Sequence, residues 1–161
     1  MKIIICCLFS FILIGCPPNP ISVPPDIPIG QLLTSPDTIV VMGGKLFLTT
    51  YLWRDFQPIS PPDGKPLIAL AWVAPTDSRQ LPHSLGMDAI WIINGQEAWR
   101  SDFTNEPVSP DPLHPNSIGR IARNGPKWGP GISVTVVVRV TDGYGNVYLL
   151  RASNQMIHRT D

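Results

Sequence analysis

The sequence predicts an all-β domain, and three observations carry that expectation. From Thr38 onward, short runs of β-branched and aromatic residues alternate with Gly, Pro, Asn and Asp. No window keeps its apolar residues at helical spacing. Residues 132–141 alternate strictly, with Ile132, Val134, Val136, Val138 and Val140 on one face and Ser133, Thr135, Val137, Arg139 and Thr141 on the other. Seven or eight short strands over this length suggest a single antiparallel β-sandwich, immunoglobulin-like in architecture. A small β-barrel is the alternative.

Taken in order, residues 38–42 form the first run, ended by Gly43-Gly44, and residues 45–53 form the second. Pro61-Pro62-Asp63-Gly64 is a turn signal, with proline presetting φ and glycine tolerating positive φ. Residues 67–73 are nearly all apolar, as expected of a strand buried on both faces. Residues 89–100 read as a hairpin about Asn94-Gly95, the pair that suits a two-residue type I′ turn. That turn would set Ile93 opposite Gln96, Trp91 opposite Ala98 and Ile90 opposite Trp99. Ile90, Ile92 and Trp99 would then share the core face, and Trp91 would share the other face with Ile93 and Ala98. Residues 105–115, which hold Pro107, Pro110, Pro112 and Pro115, are predicted to be a long loop. Asp142-Gly143-Tyr144-Gly145-Asn146 turns the chain into a strand over 147–152, and the run near Met156-Ile157 is expected to add an edge strand.

The N-terminus has a different character. Met1-Lys2 supplies positive charge, and residues 3–15 are an apolar run without charge. That is the layout of a secretory signal peptide. The run is shorter than the roughly 20 apolar residues a membrane-spanning helix needs, and Pro17, Pro18 and Pro20 end it. Its last four residues, Leu13-Ile14-Gly15-Cys16, resemble the lipobox of bacterial lipoproteins. The resemblance covers the first sixteen residues only. It implies cleavage between Gly15 and Cys16, and a diacylglyceryl group on the Cys16 thiol. It also implies attachment to a membrane in the bacterial cell envelope, facing the periplasm or the cell surface. Two or more acyl chains give durable anchoring at about 0.8 kcal/mol per buried methylene. Cys6 and Cys7 would be discarded, so a mature chain would have no cysteine left for an intramolecular disulfide. The expected organisation is a signal peptide over 1–15, a lipidated cysteine and proline-rich tether over 16–36, and a β-sandwich over 37–161. The tether holds Pro17, Pro18, Pro20, Pro24, Pro25, Pro28 and Pro36, a composition that favours extended polyproline II.

Twelve basic residues balance twelve acidic ones. That balance offers no electrostatic footprint for nucleic acid or for an anionic membrane surface. His83, His114 and His158 lie far apart, without metal-ligand spacing. There is no Gly-x-Ser-x-Gly elbow and no Ser-x-x-Lys, and no glycine pair sits in a phosphate-cradling context. Neither a cofactor nor a metal is expected. Asp55, Asp63, Asp88, Asp102, Glu97 and Glu106 could pair in space as glycoside hydrolysis requires, but most have local explanations in turns and hairpins. Arg54 and Asp55 interrupt an apolar strand end and should point to opposite faces. They are expected to reach solvent or to pair with another loop.

Aromatic surface is the remaining functional signal. Of the five tryptophans, Trp72 and Trp99 are expected in the core. Trp91, Trp128 and Tyr144 are the candidate binding surface, the last two because they sit in loops. The expected function is that of a membrane-anchored envelope lipoprotein with a non-catalytic domain for protein interaction or a structural role. One alternative is a carbohydrate- or peptidoglycan-binding module using exposed aromatics. The other is an envelope hydrolase.

Overall fold

A computed structural model describes residues 27–161. The signal segment, Cys16 and the first part of the proline-rich tether lie outside the described residues. The described chain is all-β apart from one short helix, α1 (Ile29–Leu33). The strands are β1 (Thr38–Val41), β2 (Gly44–Asp55), β3 (Leu67–Pro75), β4 (Gly86–Asn94), β5 (Glu97–Asp102), β6 (Ile118–Gly125), β7 (Ser133–Thr141) and β8 (Val147–Thr160).

These strands form one continuous path, β5-β4-β7-β8-β2-β3-β6, with β1 added beside β2. The all-β expectation holds. The path curls until its two ends, β5 and β6, approach each other, so the sheet is nearly closed and the small-barrel alternative fits it.

Strand β8 makes the curl possible. Its first half pairs antiparallel with β7, from Thr141 opposite Val147 to Ser133 opposite Met156. Its second half pairs in parallel with β2, Leu52 opposite Ile157 and Asp55 opposite Thr160. The run near Met156-Ile157 is therefore the junction at which β8 passes from β7 to β2, not an added edge strand. A register shift between Val134 and Val136 bends the strand where it changes partners.

Alternation determines what faces inward. Val134, Val136, Val138 and Val140 of β7 are buried inside the curl, joined by Ile90 and Ile92 of β4 and by Leu46, Leu48 and Leu52 of β2. Strand β3 alternates too: Leu67, Ala69, Ala71 and Val73 are buried, while Ile68, Leu70 and Trp72 are half-buried on the outer side. Burial on both faces, expected from its apolar run, is not what the strand does.

The β4–β5 hairpin differs from its predicted register. Asn94 pairs with Glu97, Ile92 with Trp99 and Trp91 with Arg100, so the two-residue turn is Gly95-Gln96. Gly95 takes φ +61° as the first central residue, the position where a type II′ turn needs glycine. The turn has moved one residue along the chain. Each cross-strand partner moves by two, which preserves parity, so Ile90, Ile92 and Trp99 still share the inner face.

A second apolar cluster lies on the outside. Ala89, Trp91 and Ile93 of β4 and Val137 of β7 pack under Leu32, with Ile27, Ile29 and Leu149 at the margin. Leu32 is fully buried, which contributes about 1.5–3 kcal/mol. Arg151 fastens the segment, its backbone N–H donating to the Pro36 carbonyl at 2.9 Å and its guanidinium donating to the Leu33 carbonyl. Residues 27–36, expected to belong to the tether, are thus part of the packed domain.

Candidate binding groove at the sheet seam

The groove arises where the curl fails to close. At one end the seam is zipped: the Thr104 N–H, just past β5, donates to the Ile121 carbonyl of β6 at 2.9 Å. The Glu106 carboxylate clamps the Arg123 guanidinium there, at 2.8 and 2.6 Å. Toward the β4–β5 turn no ladder pairs the two strands among the described residues. A shallow groove there, broadly open to solvent and about 630 Å³ in volume, is lined by Glu97, Ala98 and Trp99 of β5, by Asn124, Gly125 and Pro126 at the end of β6, and by Trp128.

Trp99 projects to the inner side and packs against the core, as does Trp128 from the loop after β6. Both indoles are half-buried, so each offers part of its surface to the groove. Gly125 lets Trp99 approach the β6 backbone, since a Cβ there would stand 3.2 Å from the Trp99 ring.

The charges around the groove are largely paired. Arg100 meets Asp102 at 2.9 Å, and Lys127 meets Asp63 at 2.6 Å. The Lys127 hydrogen bond holds the Asp63 carboxyl below its ordinary value, against desolvation, and the Arg123 hydrogen bond does the same for Glu106. Asp55 is likewise lowered by its hydrogen bond to Lys65, and Asp88 pairs with Arg139. Of the six carboxylates the sequence offers as candidates, Glu97 alone has no basic partner among the described residues.

The three residues expected to form a binding surface do not come together. Trp91 is 3% exposed beneath α1 and belongs to the outer cluster. Tyr144 is 80% exposed at the tip of the β7–β8 turn. Trp128 lines the groove. Its partner there is Trp99, which sequence reasoning placed in the core together with Trp72. Trp72 in fact lies on the outer side of β3, its indole N–H donating to the Ser109 carbonyl at 2.8 Å. The missed signal was topological: an inward-facing residue on an end strand borders any gap the sheet leaves open.

A second aromatic group sits on the outer face of β2 and β8. Tyr51 stacks on His158 with ring centroids 5.1 Å apart, and Trp53 lies 5.4 Å from Tyr51. Tyr51 and Trp53 share a face by strand alternation, whereas His158 joins them only through the parallel β2–β8 pairing. His114 packs edge-on against Phe47 at 4.9 Å. Among the described residues, no three His, Cys, Asp or Glu side chains gather as metal ligands would. No helix among them is long and apolar enough to cross a membrane.

Comparison with protein-family models, with curated proteins and with solved structures found no match.

Proposed function

We propose that this chain is a lipid-anchored protein of the bacterial envelope whose β domain is a non-catalytic module that binds a partner protein at the β5–β6 seam. The anchor rests on Leu13-Ile14-Gly15-Cys16. The binding role is carried by the groove, where the sheet leaves two strand ends unjoined beside two tryptophans. Its single carboxylate, Glu97, favours binding over glycoside hydrolysis, which usually works with two. Aromatic residues of this kind anchor protein interfaces efficiently, because they bring large contact area at low entropic cost.

Two experiments test this reading. Replacing Cys16 by Ser should leave an unprocessed, unlipidated precursor, and a lipid-modified mature form from that variant would overturn the anchor. A photo-crosslinking amino acid at position 96, exposed in the β4–β5 turn beside the groove, expressed in intact cells, should give a discrete protein adduct. The same groove supports a second reading, because Trp99, Trp128, Glu97 and Asn124 are also the residue types that stack on and hydrogen-bond to sugar rings. Retention of the purified protein on peptidoglycan sacculi, lost with Trp128→Ala and without any protein adduct, would favour that reading over the first.

A further inference from the structure

We infer that the seam takes an extended strand of the partner polypeptide, hydrogen-bonded along the free edge of β5 and presenting a basic side chain to Glu97. This rests on the protein-binding role proposed above and specifies its chemistry.

The β5 edge follows from the register. Asn94 and Glu97 flank a two-residue turn, so they exchange both backbone hydrogen bonds, and bonded pairs then recur at every second residue. Glu97, Trp99 and Ser101 therefore direct their backbone groups toward β4. The Phe103 N–H continues that set by donating to the Asp88 carbonyl of β4 at 3.3 Å. Ala98, Arg100 and Asp102 direct theirs the other way, into the seam. Thr104 belongs to this outward set, and its N–H does reach β6, at Ile121. Between Thr104 and the turn, no ladder joins β5 to β6 among the described residues. The seam is thus a zipper closed at Thr104 and open at Ala98 and Arg100.

Donors and acceptors that repeat at every second residue lie about 7 Å apart along the strand. An extended peptide matches that spacing along its whole length, and a strand added to an open edge draws its affinity from such main-chain bonds. Side-chain selectivity would come from the groove. Trp99 and Trp128 offer apolar contact, and among the described residues Glu97 has no basic partner while Arg100, Arg123 and Lys127 are paired. The complementary strand carries an apolar residue and, near it, Lys or Arg.

The test uses the full lipidated chain in detergent, panned against a phage-displayed library of linear peptides, with the enriched sequence then synthesised. Arg100→Pro deletes one outward N–H and leaves the β4 ladder intact, a position where an edge strand accepts proline. Arg100→Ala controls for loss of the side chain. The expected result has three parts. Arg100→Pro binds the peptide about tenfold more weakly than Arg100→Ala. Glu97→Gln weakens binding and flattens its salt dependence. The Ala98 and Arg100 amides gain hydrogen-exchange protection when the peptide is present. Circular dichroism of each variant establishes that it is folded. Failure to enrich a peptide with a basic residue, or equal binding by Arg100→Pro and Arg100→Ala, overturns strand addition. If the position-96 adduct still forms with Arg100→Pro and Glu97→Gln, the protein-binding role stands and the strand mode falls. If no protein adduct forms with the native seam, the role itself falls.

Discussion

Arg54 donates to the Gly129 carbonyl at 2.7 Å, joining the end of β2 to the loop that carries Trp128. Arg54 is 3% exposed, and its guanidinium also donates to the carbonyls of Lys127 at 2.9 Å, Lys65 at 3.0 Å and Asp63. Four backbone acceptors from two loops thus converge on one side chain, with Phe56 beneath it at 5.0 Å. Removing the guanidinium would strand several of those carbonyls at once, each costing about 1–3 kcal/mol when left unpaired. Arg54→Leu should therefore destabilise the domain by at least about 3 kcal/mol, read as a lower urea midpoint. Arg54→Lys should recover little, because an ammonium cannot present the planar fork that reaches both loops. Full stability in the lysine variant would contradict this account.

The approach of Trp99 to Gly125 leads to a second prediction. A methyl at position 125 would lie 3.0 Å from the Leu67 Cβ and 3.2 Å from the Trp99 ring. Leu67 is fixed in the core, so the ring is the more mobile neighbour. Gly125→Ala should cost about 1–3 kcal/mol through overpacking and tilt Trp99 further into the groove. Tryptophan emission should then shift to longer wavelength in the folded protein, and an unchanged spectrum would argue that the backbone gives way instead.

These two contacts indicate what a single sequence could and could not supply. The alternation of Val134, Val136, Val138 and Val140 was legible because strand period and burial are both local. Val137 broke the pattern, since its cover is α1, five residues long and too short to leave a helical period. The burial of Trp91 is illegible for the same reason: α1, which covers it, lies some sixty residues earlier in the chain. Asn94-Gly95 signalled the hairpin, but either of two registers keeps the same inner face, and the parity that made the core readable hid the one-residue shift in the turn. Arg54 and Asp55 were expected on opposite faces, and they are. Arg54 points into the domain and Asp55 meets Lys65 at 2.7 Å. Trp128 was singled out because it is a loop aromatic. The groove-lining role of Trp99 is not legible locally, because whether an inward residue borders a gap depends on where the sheet ends, a property of the nearly closed path as a whole.

A third prediction concerns pH. The Asp142 carboxylate organises the β7–β8 turn, accepting from the N–H groups of Tyr144 and Asn146 at 2.9 Å each, from the Asn146 amide at 2.8 Å and from the Tyr148 hydroxyl at 3.2 Å. The Asn146 side-chain hydrogen bond, opposed by desolvation and aided by the backbone donors, holds its pKa below the ordinary value. The folded chain therefore binds this proton less readily than the unfolded chain. The stabilisation is fully present above the unfolded pKa of about 3.9 and is lost as pH falls through the lower folded value. The difference in melting temperature between the native protein and Asp142→Asn should be constant from pH 7 to about 5 and should shrink below about 4. A difference that stays constant to pH 2 would remove Asp142 from the account of acid sensitivity.

The last prediction sets two opposing effects against each other at Trp91. Its indole nitrogen is buried and has no hydrogen-bond partner among the described residues, a situation that costs about 1–3 kcal/mol. Its ring fills the space between β4 and Leu32. Trp91→Phe removes the orphaned donor and loses part of the ring, whose burial is worth about 0.8 kcal/mol per methylene equivalent together with a small cavity. The two effects are of similar size and opposite sign, so the phenylalanine variant should fall within about 1 kcal/mol of the native protein. Trp91→Ala has no such compensation and should lose about 3–5 kcal/mol. Urea denaturation of the three proteins measures both differences under one condition. Equal losses for phenylalanine and alanine would mean that the indole nitrogen is held by a partner in the full chain, and Trp91 would then be a polar contact rather than a filler beneath α1.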